Sequence, residues 1–351
     1  MSLNPQTIEL NDDPESVYAH FYQRGWTDGL PIIPPTTDRV SRFLKNYPGA
    51  STDVIAVIPH LKGEATVERI AVNMVMAGCL PDYLPVVLAA LEAMMVPRFN
   101  FQAVQSTTNA VAPLLILNGP AIERFDFNCR ENVFGQGARA NATVGRAIRL
   151  ILINIGGADP GKLDRATHGH PGKYSYCVAE NETESPWDPL HVERGFERDD
   201  SVVTVVGADA PMNINDASST SAEGVLHSVA SAMITPGSNN ALRGGEPLVI
   251  FSPEHAELIA RDGWSKMDIR GFLYENSKIS FERFSVENRE RIRLLRQSWL
   301  EKEGDTGAVA VADSPSAIMF LVTGGLGKHS MLITTFGNTY ASSQRIDLSG
   351  T

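Results

Sequence analysis

The chain has 351 residues, of which 43% are hydrophobic and 20% charged, with a formal net charge of −11. That acidic balance, without any basic block, leaves nothing to offset phosphate repulsion and excludes nucleic acid as a partner. Met1–Asp13 is polar and acidic, unlike a signal or transit peptide, and the longest apolar runs, Ala71–Leu80 and Ile148–Ile155, are too short to span a bilayer.

In chain order, Asp13 and Pro14 predict a helix over Pro14–Arg24. The carboxylate can accept from free N–H groups of the first turn, and proline loses no hydrogen bond there. Gly25–Thr36 (GWTDGLPIIPPT) is turn-rich, and its double proline presets an extended course. Trp26, Leu30, Ile32 and Ile33 favour burial. A helix capped by Thr37 or Asp38 runs to Tyr47. Strand Val54–Ile58, loop Pro59–Glu64 and helix Thr66–Ala77 follow, then a helix from Tyr83 to Met95. A second strand, Leu114–Leu117, leads through the loop Asn118–Asn141 into a helix over Thr143–Ile155, ended by Gly156-Gly157. Ala158–Asp200 is long, polar and without periodicity. Strand Val202–Val206, loop Gly207–Thr220 and helix Ser221–Met233 come next. The remainder reads as strand Leu248–Phe251, helices Glu254–Arg261, Ser265–Tyr274 and Val286–Lys302, and strands Ile318–Val322 and Met331–Thr335 around the loop Thr323–Ser330.

Strands alternating with helices predict an α/β fold, and strands apolar nearly throughout predict a layered sheet covered on both faces. Thr66, Thr143 and Ser221 each open an apolar helical run after a strand and a polar loop, at intervals of 77 and 78 residues. Repeated strand–loop–helix units follow, with an internal threefold duplication and coincidence weighing equally. With no Gly-, Ser- or Pro-rich linker, residues 51–351 read as one α/β catalytic domain with an insertion at about 158–200, and residues 1–50 as an N-terminal wrap.

Ligands of α/β sheets bind beyond the strand C-termini, so the polar loops are the candidate substrate-binding region. The first carries His60. The second carries Arg130, Asn132, Arg139 and Asn141, with Thr143 at the helix start, and the third carries Asn213, Asn215 and Ser219. These residues bind small polar or anionic molecules, but any single one is more often a turn former or cap. The insertion holds the densest group, Thr167–Cys177, Glu180–Trp187 and His191–Arg194. Glu180, Glu182 and His191 are its candidate general acids and bases, with Lys173 and Arg194 as holders of a carboxylate or oxyanion. Glutamates 180, 182 and 184 share one face of an extended segment, where crowding raises a carboxyl pKa. His168, His170 and Cys177, with His191, form the alternative of a divalent-metal site, although H-x-H with a distant Cys matches no standard spacing. Lys328 and His329, on the Gly324–Ser330 turn, add a cation and a base; the turn lacks the spacing of a phosphate loop, and a β-hairpin with a polar tip is the plain alternative. The cysteines, Cys79, Cys129 and Cys177, suit a reducing compartment and hence a cytoplasmic protein. Cys79 reads as structural, and Arg130 could stabilise a Cys129 thiolate.

Gly25–Thr36, Glu64–Glu68 through Met76–Cys79, Arg139–Arg146 (RANATVGR) and Pro171–Tyr174 through Pro189–Phe196 (PLHVERGF) together resemble a bacterial protein family associated with UGSC-type selenoproteins. The family has no established activity. The resemblance covers most of the chain and implies a bacterial metabolic protein working beside a thiol or selenol partner. The chain has no U-G-S-C motif, so the selenoprotein's redox role does not carry over. The expectation is an enzyme acting on a small polar, carboxylate-bearing metabolite by acid–base chemistry. A lyase, hydratase or hydrolase fits best, because no G-x-G-x-x-G follows a strand. The alternatives are a metal-dependent hydrolase built on His168, His170, Cys177 and His191, and a non-catalytic subunit paired with a UGSC-type protein; a homo-oligomer is the other assembly considered.

Overall fold

The computed structural model describes residues 7–304 and 306–349; of the segment Met1–Asp13, residues 1–6 lie outside the described residues. The strands are β1 (Val54–Ile58), β2 (Gly63–Thr66), β3 (Ala112–Asn118), β4 (Cys177–Ala179), β5 (Val202–Ala208), β6 (Met212–Asn215), β7 (Leu248–Phe251), β8 (Ile279–Ser280), β9 (Ala308–Val309), β10 (Met319–Val322), β11 (His329–Ile333) and β12 (Ser342–Arg345). β1 and β2 form an antiparallel hairpin, and β8 and β9 a short antiparallel pair. One mixed sheet has the order β12-β5-β3-β4, with β3 and β4 parallel; the other has the order β10-β7-β11-β6, with β10 and β7 parallel.

The period of two along each strand divides the apolar residues between cores. Leu114 and Ile116 of β3 and Val206 of β5 meet Leu248 and Ile250 of β7 and Leu321 of β10, so the two sheets pack face to face. The intervening Leu115, Leu117, Val203 and Val205 face the helices Val67–Ala77, Leu84–Met95 and Arg139–Asn154. On the far side, Val249, Phe251, Phe320 and Val322 lie under Ala222–Met233, Pro253–Arg261 and Lys266–Asn276. The α/β fold is thus four layers, helix–sheet–sheet–helix, which is why the central strands are apolar on both faces.

The sheets are stitched at both ends. At one, the chain passes from β5 to β6, and the Asp209 and Phe336 N–H groups donate to Thr334 O and Gly207 O, both at 2.9 Å. At the other, where β3, β4 and β10 have their C-termini, Asn181 N–H donates to Val322 O (2.8 Å) and the Thr323 hydroxyl to Ala179 O (2.7 Å).

The architecture does not confirm the threefold duplication. The Thr66 and Ser221 hydroxyls do cap helices, accepting from the N–H groups of Arg69 and Gly224. Thr143 does not: its helix begins at Arg139, and its hydroxyl donates 2.8 Å back to the Arg139 carbonyl. β1 belongs to a separate hairpin, β3 and β5 are antiparallel neighbours, and the third helix covers the other sheet, so the three helix starts do not converge. The insertion at 158–200 contains β4, and the loop at 207–220 contains β6. The helix expected over Val286–Lys302 is two, Val286–Leu295 and Gln297–Glu303. Between them Arg296 leaves the helical course and buries its guanidinium against the carbonyls of Ala310 and Ala312. β10 and β11 are not a hairpin either, since β7 lies between them.

Residues 25–36 dock through polar contacts. The Asp28 carboxylate accepts Nε and Nη2 of Arg146 at 2.7 and 2.9 Å, and Nη2 also donates to Pro31 O at 2.8 Å. Of the four apolar residues expected to bury, Ile32 packs on the core; Trp26, Leu30 and Ile33 stay 37%, 41% and 41% exposed, although the Trp26 ring meets the core residue Phe21 edge-on at 5.5 Å. No single helix among the described residues is long and apolar enough to cross a membrane. A bent pair, Pro81–Met95 with Pro97–Ser106, matches by length and composition, and its Leu84, Leu91 and Met94 belong to the first core.

Candidate acid–base site at the joined strand ends

β3 is apolar until its last residue, Asn118, which is fully buried. β4 runs parallel to it in the register Leu117↔Ala179, so Glu180 emerges beside Asn118. The Asn118 amide donates from Nδ2 to Glu180 Oε2 (2.7 Å) and to Glu182 Oε1 (2.9 Å). Gly119 N–H adds a 2.7 Å bond to Glu182 Oε1, and Leu190 N–H a 2.8 Å bond to Glu180 Oε2. His191, also buried, follows Leu190; its Nε2 stands 3.2 Å from Arg198 O. A nitrogen facing a carbonyl carries the hydrogen, so a neutral His191 presents a lone pair at Nδ1. That atom lies 3.7 Å from Glu182 Oε1, beyond hydrogen-bond reach.

Three buried atoms of this cluster have no partner among the described residues: Asn118 Oδ1, Glu180 Oε1 and His191 Nδ1. Buried polar atoms are almost always satisfied, so three together is unusual. Burial pushes the Glu180 carboxyl up to about 7, against the pull of the Leu190 N–H and the Asn118 amide. Near neutral pH it therefore exists in both charge states. Crowding by Glu182 is the last of the causes, so burial rather than like charge sets this carboxyl. Glu180 and Glu182 do converge, through Asn118, but Glu184 is exposed beyond a turn closed by its own N–H on Asn181 O at 3.2 Å.

Two loops meet over the cluster. The Thr323 hydroxyl donates to both Ala179 O and Cys129 O, and Gly324 N–H donates to Cys129 O at 3.0 Å. The Glu131 side chain lies against Gly325, where an added Cβ would stand 2.3 Å from Glu131 Cγ. Cys129 is half-buried, and burial raises its thiol pKa more than the Arg130 guanidinium lowers it. The expected thiolate is therefore disfavoured. Glu182 keeps 22% of its side chain exposed, whereas Glu180 is buried.

Most other candidates have structural partners. Lys173 Nζ pairs with Asp164 at 2.6 Å, and Arg194 donates to Ser343 Oγ (2.7 Å) and Ala341 O (2.6 Å), anchoring β12. Arg139 caps a helix end through Gly78 O at 3.0 and 2.9 Å. Asn141 joins Asn128 to Cys177 O, Asn132 bonds Gln136 O within its own turn, and Ser219 donates to Asp216 Oδ2. His60 lies on the β1–β2 turn, 3.2 Å from Gln102 O. Asn213 and Asn215 are exposed on β6, Asn215 opposite the exposed His329, and Lys328 Nζ is 3.5 Å from Ala217 O. Lys328 and His329 thus belong to the β6–β11 edge, at the far end of the loop that starts at Thr323.

The metal alternative is not supported by the arrangement. Tyr176 and Val178 face between the sheets while Cys177 faces the helices, and His170 packs on Tyr176 at 5.5 Å between ring centres. Alternation along β4 thereby separates Cys177 from His170, and His168 is exposed. Among the described residues no three His, Cys, Asp or Glu side chains could hold a metal ion.

Sequence reasoning missed Asn118, although a lone amide closing an otherwise apolar strand is a signal. It also missed the buried pair His255 Nδ1 and Ser330 Oγ, 2.8 Å apart, whose His255 Nε2 lies 3.1 Å from Asp216 O. Models of known protein families give no match to the chain, and no curated protein is similar to it.

Proposed function

We propose that the chain is an enzyme acting by acid–base chemistry on a small polar, carboxylate-bearing molecule at the joined strand ends. The observation that supports this is the pair Glu180 and Glu182 held on one buried amide, with Glu180 Oε1, like two neighbouring buried atoms, without a partner among the described residues. Glu182, the partly exposed member, is the group that meets the bound molecule and exchanges its proton. Glu180 is a positioning carboxyl: it shares the Asn118 amide with Glu182, and its ionisation near neutral pH places a second negative charge beside that group. Arg130, exposed on the loop above, supplies the cation for a substrate carboxylate. A donor–acceptor carboxyl of this kind suits a lyase, hydratase or hydrolase, and general acid–base catalysis contributes about 10²–10⁴ in rate.

The test is a turnover screen over small hydroxy and unsaturated carboxylic acids with the natural chain, Glu182→Gln and Glu180→Gln. Glu182→Gln should lose about 10²-fold or more in kcat. Glu180→Gln should retain turnover but lose the inflection of its pH profile near 7. Full activity in Glu182→Gln on any substrate found would sink the assignment.

A further inference from the structure

The opposite end of the sheets, where β5 passes into β6 and β11 ends, opens into a cleft of about 490 Å³. That size suits a small metabolite. Its polar wall comes from separate segments: Asn109, His170, Asp209, Asn239 and Thr334. Asn109 Nδ2 donates to Asn239 Oδ1 (2.6 Å), Asn239 Nδ2 to Asp209 Oδ2 (2.8 Å), and the Thr334 hydroxyl to the same oxygen (2.9 Å). The donors converge on Oδ2 and leave Oδ1 of Asp209 outside the chain of bonds. His170 lines the cleft as well, and its Nδ1 accepts from Gly172 N–H at 3.1 Å. Burial also lowers its pKa, against the pull of the Ala208 carbonyl and the Asp209 carboxylate. Among the described residues no Lys or Arg lines the cleft, and Ala110, Ala210, Met212 and Leu332 supply an apolar wall.

One carboxylate with an oxygen outside these bonds, no Lys or Arg among the described lining residues and an aliphatic wall together favour positive charge on an apolar stem. An anion would face Asp209 unscreened, and the chain's net charge of −11 favours approach of a cation. We propose that this cleft is a second ligand site, separate from the strand-end glutamates, for a small aliphatic molecule carrying a primary ammonium group that donates to Asp209.

Calorimetric titration of the full chain with three four-carbon probes tests this: putrescine, butane-1,4-diol and succinate. Putrescine should bind, with the diol and succinate at least about 10-fold weaker, the value of one charge-assisted hydrogen bond. Asp209→Asn should weaken putrescine by a similar factor. Because Asp209 Oδ2 also holds two internal bonds, Met212→Arg provides the second variant. Met212 is exposed on β6, so this change fills the cleft with a guanidinium, leaves those bonds intact and should abolish putrescine binding. Glu182→Gln should bind putrescine as the natural chain does, which separates this site from the acid–base proposal. The inference is overturned if putrescine fails to bind at about 10 mM, a concentration at which even weak specific sites fill. It is equally overturned if the diol or succinate binds as tightly, or if Asp209→Asn or Met212→Arg leaves putrescine affinity unchanged.

Discussion

Glu180→Gln should remove a pH dependence of stability that the natural chain carries. The Glu180 carboxyl sits at about 7 in the fold against an ordinary value of 4.5. Between those two values the folded chain keeps a proton that the unfolded chain has released. Stability contributed by the neutral carboxyl is therefore complete below 4.5, falls as pH rises through the window, and is flat above 7. At 1.36 kcal/mol per pH unit, the loss across the window is about 3 kcal/mol. Glutamine keeps one oxygen for the bonds from Asn118 and Leu190 and replaces the other with an amide nitrogen that never ionises. Relative to the natural chain, the variant should gain about 3 kcal/mol between pH 4.5 and pH 8, since the other titrating groups are common to both proteins and cancel. Urea unfolding of the two proteins at four pH values across that range measures it. A difference between them that changes by less than about 1 kcal/mol would refute burial as the cause of the Glu180 shift.

Asp28→Ala should lower the unfolding free energy measured in urea by about 3–5 kcal/mol, because Arg146 would remain largely buried without its bidentate partner. Gly119→Ala should cost about 3 kcal/mol or prevent folding: its φ is +76°, and an added Cβ would stand 2.0 Å from the Asp200 carbonyl oxygen. Gly137→Ala, at φ +126° with open space around it, should cost about 1–3 kcal/mol from backbone strain alone and still fold, by the same unfolding measurement. Titration with a thiol reagent should label Cys129 alone in the native protein and all three cysteines in urea. Cys79 and Cys177 are buried, and burial drives both thiols up, Cys79 to about 12; fast native labelling of either would contradict their placement.

What the sequence made legible is what short stretches decide. Runs such as Leu114–Leu117 and Val202–Val206 announce strands covered on both faces, and Asp13, Thr66 and Ser221 announce helix starts through bonds within three residues. Glu180 and Glu182 were legible for the same reason: residues two apart on an extended segment share a face, and both reach Asn118. Lys173 and Arg194 look equally free along the chain, yet Asp164 neutralises one and Ser343 with the Ala341 carbonyl engages the other. Nothing local reveals those partners. The loop of Lys328 and His329 is subject to the same limit, since β7, inserted between β10 and β11, decides that it bridges two regions instead of closing a hairpin. Even Asn118 meets the two glutamates only because β4 returns parallel to β3 after a long excursion. Which polar side chains stay available is settled by strand pairing between distant segments, so the residues of a site can be nominated from sequence while their vacancy cannot.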